Sequence, residues 1–460
     1  MALRLHQRLA RWSPSTVLAI AWGWLAIYAW PGQMAPDAYE HVMEGRAGIY
    51  TDGHPPILAA MFRAADIFVA GGLLVWAFAS ILFLASLYLV FSRTFSPRRA
   101  AWITAAVFVF PPVMIPFGHA WKDTLMAAFL MLGFAGLLDD RRSVRWLALV
   151  PLALGTAVRY NAFAAMVPLV VVLFELAPSG WVRRYAIALG VSAGITVGTL
   201  AVNSALIDRP MHYWYSSLGP SDIAGVLAHL DETIPDAELE QIFAGSELRV
   251  HENIHDRFRS LYDPRIYTKL VAVFEPRAPW HMPLWGTTPA PAAQRDAIER
   301  AWKHFVTTYP LAYVRHRLAV MGYVLFLPYH RMSPSGTIVP REYPWPAVVA
   351  QIGLSSKSST LQHELTSMMR TLHRKTPLFS VWMYAAIALL LLPLTRKHRD
   401  MFALLASGLL LEASLLPLAP SPDYRYSHWM VVCAIVAAIV LFTRRVRSRP
   451  SASPPRSRPG

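Results

Sequence analysis

The chain of 460 residues is poor in cysteine and in charge. Its one cysteine, Cys433, lies inside an apolar run, so no disulfide, cysteine zinc cluster or thiol catalysis can be built from it. Charged residues make up 15% of the chain, whereas soluble domains carry about a quarter. So little charge cannot cover a water-facing surface on all sides, and a soluble globular protein is therefore excluded.

Apolar residues take the place of the missing charge. The chain is 55% hydrophobic, and its mean hydropathy is +0.35. Only closed hydrogen bonding is tolerated in hydrocarbon, so apolar runs of near-spanning length predict transmembrane helices. The sequence predicts an all-α integral membrane protein: a polytopic bundle of about eleven spans with an extracytoplasmic loop domain. The runs fall at about 15–30, 66–91, 100–117, 122–138, 144–158, 161–177, 184–206, 312–328, 378–395, 401–419 and 427–443.

The net charge of +15 is explained by topology, and nucleic acid is not expected as a partner. Arg and Lys concentrate in short segments between apolar runs, which the positive-inside rule assigns to the cytoplasm. The predicted location is the inner (plasma) membrane, with the alternate loops facing the periplasm or exterior. The basic segments are 92–99, 139–145, 181–184, 395–399 and 443–447; the alternate ones are 31–65, the turns near 117–122 and 159–160, 207–311 and 419–428.

The predicted organisation has four parts. They are an N-terminal transmembrane module with its first loop at 31–65, an extracytoplasmic domain, a C-terminal transmembrane module and a disordered cytoplasmic tail, at 1–206, 207–311, 312–443 and 444–460. Because successive loops alternate between the two sides of the membrane, this parity also places 330–377 outside. Since only 312–328 separates it from the other external segment, either 345–356 hides a short pass or 312–328 does not cross.

The first loop carries two residues suited to chemistry. Asp37 follows the first apolar run, and a carboxylate there can act as a general base toward a hydroxyl. The structural alternative is that Asp37 caps a helix N-terminus. His54 lies between Gly53 and Pro55, where it is a turn residue, a metal ligand or a hydrogen-bond donor to a phosphate.

Ionisable residues also lie at helix ends in the other external turns. Lys122 and Asp123 open an apolar run, and Arg159 and Arg425 place positive charge on the side where the charge rule expects little. Such residues beside hydrocarbon usually mark a function or an ion pair, although Lys122 can also snorkel to the interface. Basic residues at this depth favour an anionic ligand, above all a lipid phosphate.

These motifs together resemble the bacterial branch of the GT-C superfamily of polyprenyl-phosphate-dependent membrane glycosyltransferases. The motifs are the Pro-Asp-Ala-Tyr at 36–39, the His-Pro-Pro at 54–56, the Lys-Asp at 122–123 and the Asp-Tyr-Arg-Tyr at 423–426. Each is short, but four lie in the right order and on the same predicted face. The resemblance covers most of 15–443, though 207–311 matches no motif of the family.

The resemblance implies a lipid-linked sugar donor, typically a polyprenyl monophosphate sugar. The acceptor is a glycan, lipid or protein, and membrane lipids surround the bundle. By position Asp37 takes the role of general base. The expected contacts to the donor phosphate are Lys122, Arg159 and Arg425, and the expected supporting residues are His54, Asp123, Tyr160 and Tyr426.

The sequence departs from part of the family in its first loop. Some members carry paired acids there, whereas 36–38 supplies only Asp37. No metal ligand or cofactor is therefore assigned, and the participation of a divalent metal stays open. The competing interpretations are a transporter or flippase of lipid-linked sugars, which would need ionisable groups at the bilayer midplane, a non-catalytic scaffold, and an O-antigen ligase or polymerase. The sequence does not indicate the sugar or the acceptor.

Overall fold

The computed structural model describes residues 12–174, 180–212, 214, 217–270, 277–280, 289, 291–327 and 359–448. Within these residues the fold is helical, with only isolated β-bridges. The helices are α1 (Pro14–Ala29), α2 (Pro36–Ala47), α3 (Pro56–Asp66), α4 (Leu73–Ser92), α5 (Pro97–Val109), α6 (Pro111–Met114), α7 (Lys122–Leu137), α8 (Arg142–Leu147), α9 (Leu149–Ala157), α10 (Phe163–Leu173), α11 (Trp181–Leu206), α12 (Leu218–Ala228), α13 (Asp236–Ile242), α14 (Ile254–Leu261), α15 (Ala292–Thr308), α16 (Pro310–Val324), α17 (Thr360–Lys375), α18 (Val381–Leu391), α19 (Arg399–Leu418) and α20 (Tyr424–Ser448).

This architecture fits an α-helical membrane protein, but it does not support the predicted count of eleven spans. Among the described residues, four helices are long and apolar enough to cross a bilayer, namely α4, α11, α19 and α20. The other apolar runs form shorter helices, such as the 16-residue α1. At 1.5 Å per residue such a helix covers about 24 Å of a hydrocarbon core about 30 Å thick.

Proline is one cause of the shorter helices. The run at 100–117 is broken because α5 ends at Val109 and Pro111 starts the four-residue α6. Proline fixes φ and lacks the N–H that would continue the hydrogen-bond ladder. The run at 66–91 also loses its beginning, since α3 ends at Asp66 and α4 starts only at Leu73.

The principal core is formed where α4 packs on α7, α10 on α19, α19 on α20 and α1 on α5. Small residues allow close approach. A Cβ added at Gly133 of α7 would lie 2.5 Å from the Leu152 side chain of α9, and one at Gly408 of α19 would lie 2.9 Å from Cβ of Cys433. Close backbone contact at small residues is typical of helix packing in membranes. Cys433 is a buried core residue of this interface.

The five basic segments meet at one end of the bundle. Arg93 pairs with Asp139 at 2.7 Å, and Arg444 pairs with Asp400 at 2.7 Å. Arg184 and Arg399 both donate to the carbonyl oxygen of Val172 at 2.6 Å. Helices α7 and α20 run from the opposite end, where Lys122 and Arg425 lie, toward these segments. The segments that parity assigned to one side are thus neighbours in space.

A second core belongs to the predicted extracytoplasmic segment. It joins α12, α13, α14, α15 and the first turn of α16 around side chains such as Phe243, Phe258 and Trp280. Helix α16 then leaves this core and packs through Val320 and Val324 against α19.

Two predicted segments near the C-terminus lie partly or wholly outside the described residues. The segment assigned to a disordered tail begins as helix, because α20 continues to Ser448, and residues 449–460 lie outside the described residues. The pass considered at 345–356 also lies outside them, so the choice about 312–328 stays open.

Candidate functional site

The first loop folds into two helices that pack on each other, α2 and α3. Pro36 is the first residue of α2 and Ala35 is its N-cap, so the alternative of Asp37 as the capping residue is wrong. Asp37 lies in the first turn, where a carboxylate interacts favourably with the positive end of the helix dipole. Gly48 ends α2 in the left-handed region at φ 65°, which only glycine adopts without steric cost.

Backbone pairing fixes this loop against the turn that precedes α7. The amide of Gln33 donates to the carbonyl of Gly118 at 2.8 Å, and the amide of Ala120 donates to the carbonyl of Gln33 at 3.0 Å. On its other side, the Asp52 carboxylate accepts from the amides of Met211 and His212. The Gln33 bonds hold the start of the loop beside the turn before α7, and the Asp52 bonds hold its middle against the segment that follows α11.

Asp37 is the meeting point of three basic side chains. Its Oδ2 atom lies 2.8 Å from Nη1 of Arg425, 3.9 Å from Nζ of Lys122 and 4.0 Å from Nε2 of His54. The Asp37 side chain is 16% exposed. Burial by itself raises the pKa of Asp37, but Arg425, Lys122 and His54 outweigh it and hold that pKa well below its usual range. The carboxylate is therefore ionised at neutral pH.

His54 is held between a cation and two carboxylates. Its Nδ1 atom lies 2.6 Å from Nζ of Lys122, and its Nε2 atom lies 3.7 Å from Oε2 of Glu40. Burial, assisted by Lys122, lowers the pKa of His54 well below its usual value. When Lys122 is protonated it can only donate, so Nδ1 of His54 then accepts and the neutral ring carries its hydrogen on Nε2, on the side of Asp37 and Glu40.

Arg159 forms a buried ion pair with Asp123. Its Nε atom donates to Oδ1 of Asn161 at 2.7 Å, and its guanidinium lies 4.9 Å from the centroid of the Tyr426 ring. Tyr160, the next residue, is partly exposed, and its hydroxyl donates to the carbonyl of His54 at 3.4 Å. Arg159 and Tyr160 thus connect the 159–161 turn to both the first loop and α20.

Arg425 binds three carboxylates from different parts of the chain. Besides Asp37, its Nε atom lies 2.8 Å from Asp423 and 3.7 Å from Asp123. The guanidinium also lies 4.8 Å from the ring centroid of Trp121. All eight residues selected from the sequence therefore meet in one cluster, formed by Asp37, His54, Lys122, Asp123, Arg159, Tyr160, Arg425 and Tyr426.

The sequence interpretation missed a second carboxylate in the first loop. Glu40 lies one turn after Asp37 on α2, and residues three apart share a helix face. Burial, with the nearby charges of Glu44 and Asp37, raises the pKa of Glu40 to about 8. Segment 36–38 supplies only Asp37, as predicted, but α2 places a further acid, Glu40, one turn after it. The i, i+3 spacing was the signal that would have found Glu40.

A deeper polar layer lies between α19 and α20, and it too was missed. Glu412 is buried and accepts from the Ser427 hydroxyl at 2.9 Å. Nearby, the amide of Asn161 donates to the Ser414 hydroxyl at 3.0 Å. The sequence gives no signal for this pair, because Glu412 and Ser427 lie on different helices and meet only when α19 packs on α20.

The cluster combines cations that can hold an anion with a carboxylate that can accept a proton. Within the residues described, no group of three or more His, Cys, Asp or Glu side chains is arranged to hold a metal ion. No family model, curated protein or solved structure matches this chain. Functional inference therefore rests on the cluster itself.

Proposed function

We propose that this chain is a membrane glycosyltransferase that transfers a sugar from a polyprenyl-phosphate donor to a glycan, lipid or protein acceptor. The observation that carries the proposal is the meeting of Lys122 and Arg425 at Asp37, with Arg159 beside Arg425 on the Tyr426 ring, at one end of an apolar bundle. Cations at that depth suit a lipid phosphate, and the carboxylate beside them suits deprotonation of an acceptor hydroxyl. The motif resemblance to the GT-C superfamily adds to this argument.

In the proposed reaction the three basic side chains hold the donor phosphate. The acceptor hydroxyl gives its proton to Oδ2 of Asp37, and its oxygen attacks the anomeric carbon of the sugar. The bond between that carbon and the phosphate oxygen breaks, and the polyprenyl phosphate leaves with the electron pair. Arg425 and Lys122 stabilise the negative charge that grows on the leaving phosphate.

The ion pair between Asp37 and Arg425 makes the carboxylate a weak base in the free protein, because its pKa is held below the usual range. A general base works best when its pKa lies near the operating pH. A donor phosphate that binds Arg425 and Lys122 adds negative charge beside Asp37. Donor binding would therefore raise the pKa of Asp37 and prepare it to accept the proton.

The proposed active site faces the periplasm or exterior of the inner (plasma) membrane. This orientation is supported by the meeting of the basic segments at the opposite end of the bundle, through pairs such as Arg93 with Asp139 and Arg444 with Asp400. The positive-inside rule places that end in the cytoplasm. A donor flipped across the membrane would then reach the cluster from the outer leaflet.

The test uses purified full-length protein in nanodiscs. It is given a panel of polyprenyl monophosphate sugars, each radiolabelled in the sugar, with an envelope extract as acceptor. Movement of label from the lipid to the acceptor fraction is the expected result, and Asp37→Asn should abolish it. Reconstituted sealed vesicles tested in parallel address the alternative. Label that crosses the membrane on intact lipid, without transfer, would replace the glycosyltransferase with a flippase.

A further inference from the structure

His41 is a buried histidine beside the cluster that the mechanism above does not use. It lies one turn after Asp37 on α2 and is only 2% exposed. Both of its ring nitrogens are buried without a hydrogen-bond partner among the residues that the structure describes. Buried polar atoms in native proteins almost always have a partner, so such a group indicates a ligand or an ordered water.

The surroundings of His41 are suited to a hydroxyl. Its ring meets that of His54 edge to face at 4.9 Å. Burial lowers the pKa of His41 to about 3, so the ring is neutral, with one nitrogen donating and the other accepting. A sugar hydroxyl, which donates and accepts at one oxygen, matches this pair of nitrogens.

The ionisable side chains on this side of α2 are carboxyl groups, in contrast to the cations that contact Asp37. This side is lined by Asp37, Glu40, Glu44 and Asp52. The Lys122 ammonium contacts Nδ1 of His54, on the other side of that ring. A phosphate placed here would lie against carboxyl oxygens, and each acid that is ionised would repel it in a partly buried setting, where repulsion is screened less than in water. An uncharged group meets no such penalty.

We infer that the face of α2 formed by Glu40, His41 and Glu44 is the acceptor subsite, and that it takes an uncharged, hydroxyl-rich glycan rather than a phosphorylated group. This inference rests on the proposed function, since it names the acceptor class of the same site. The side of the cluster formed by Lys122 and Arg425 then binds the donor phosphate, and the α2 side binds the acceptor. Asp37 lies between them, where it can reach the attacking hydroxyl. Tyr160, exposed at the rim beside His54, offers an aromatic ring to the sugar.

If His41 had only a structural role, replacing it would lower the melting temperature. His41 lies against Phe62, with ring centroids 5.8 Å apart. Replacing an unpartnered buried imidazole with phenylalanine removes a desolvation cost and keeps an aromatic ring of similar shape. If His41 serves only the ligand, His41→Phe should keep or raise the melting temperature while it weakens acceptor binding.

The experiment measures binding of two probes with the same tail to full-length protein in nanodiscs. Decyl maltoside represents a neutral glycan, and decyl phosphate represents the anionic donor head group. We expect His41→Phe to weaken decyl maltoside binding at least tenfold, to change decyl phosphate binding less than twofold, and to melt no lower than wild type. His41→Gln, which keeps a donor and an acceptor, should restore part of the maltoside affinity.

His255→Phe is the matched control, since His255 is an equally buried histidine in the second core, away from the cluster. It should leave both affinities unchanged. The inference would be overturned if His41→Phe bound decyl maltoside with wild-type affinity. It would also be overturned if decyl phosphate displaced decyl maltoside from the α2 side. These assays measure binding and need no turnover. If both probes bind as expected but no sugar is transferred, the proposed function is wrong and the acceptor inference stands.

Discussion

Nη1 of Arg425 lies 2.8 Å from Oδ2 of Asp37 and joins the first turn of α20 to the first turn of α2. The same guanidinium reaches Asp423 and Asp123. One side chain thus connects the first loop, the start of α7 and the loop before α20. The proposed base and the proposed phosphate ligand are therefore expected to behave as one unit under mutation.

Asp37→Asn should reduce sugar transfer at least 100-fold while expression stays near normal. The amide keeps the shape of the side chain but cannot take a proton, and loss of a general base typically costs about 100-fold or more. Initial rates with the labelled donor measure the effect. Asp66→Asn, which removes a carboxylate paired with Arg46 at the C-terminal end of α3, serves as the control. A rate within threefold of wild type for Asp37→Asn would remove Asp37 from the mechanism.

Arg159→Ala and Arg425→Ala should weaken donor binding more than acceptor binding, by about tenfold or more. Each removes one charge from the proposed phosphate site. Because Arg159→Ala leaves buried Asp123 with Arg425, 3.7 Å away, in place of its close ion pair, Arg159→Lys is included to keep the charge and the fold. Apparent affinity for polyprenyl monophosphate is the measurement, with the exposed Arg141→Ala as control. Wild-type affinity in both alanine variants would mark these residues as structural.

Glu40 should make stability depend on pH between about 4.5 and 8. Burial raises the pKa of Glu40 in the folded chain to about 8, against a usual value of 4.5, so the folded state binds more protons than the unfolded state in this range. Stability from this group is present below pH 4.5 and is lost as pH rises toward 8. The melting temperature of Glu40→Gln should therefore exceed that of wild type by a margin that grows up to pH 8.

The effect of Asp66→Asn on stability should depend on pH in the opposite direction. Its hydrogen bonds to Arg46 hold the pKa of Asp66 below its usual range, so the stability it contributes is lost as pH falls. Melting curves of both variants from about pH 2 to 9 measure the two slopes, and that of Asp66→Asn lies below about pH 4, because the folded pKa of Asp66 is lower than its usual 3.8. A constant difference between Glu40→Gln and wild type across this range would contradict a raised pKa for Glu40.

Gly225→Ala should destabilise the second core. A Cβ at this position on α12 would clash with the His316 ring, which is itself fixed by Asp222 at 3.1 Å and Tyr262 at 2.9 Å. Overpacking of this kind typically costs about 1–3 kcal/mol. Thermal unfolding measures the loss. Gly198→Ala, on α11 with nothing within 4 Å of an added Cβ, should be neutral; equal melting of the two variants would refute the packing described.

The sequence predicted the cluster better than it predicted the spans. Asp37, Lys122, Arg159 and Arg425 stood out because charge beside an apolar run is costly, and the structure brings all four together. Whether they act in transfer stays a prediction. Apolar composition revealed where helices form, but it could not reveal that a proline such as Pro111 would split a run into pieces too short to span.

Other parts of the cluster depended on contacts that have no local signal. Glu412 lies in the middle of an apolar run, and only packing of α19 on α20 shows its bond to Ser427. His41 resembles any histidine in a polar loop until α2 buries it against Phe62. Glu40 was the exception, since its helical spacing from Asp37 was readable in the sequence.

The last prediction concerns topology, on which the proposed orientation depends. The motif loops and the 207–311 segment should face the exterior, and the basic segments should face the cytoplasm. Single cysteines are introduced at exposed positions in a Cys433→Ser background: Ala47 and Thr233 on the proposed outer side, and Ser96 and Ser143 on the inner side. Intact cells are treated with a membrane-impermeant thiol reagent before and after lysis.

The cysteines at Ala47 and Thr233 should label in intact cells, whereas those at Ser96 and Ser143 should label only after lysis. The two pairs serve as controls for each other, since all four positions are exposed and differ only in the end of the bundle they occupy. The ion pair of Arg93 with Asp139 holds the Ser96 and Ser143 segments together, so these two must agree. The reverse pattern would place Asp37 and Arg425 in the cytoplasm, where an acceptor on the outer face is out of reach, and would rule out the proposed reaction there.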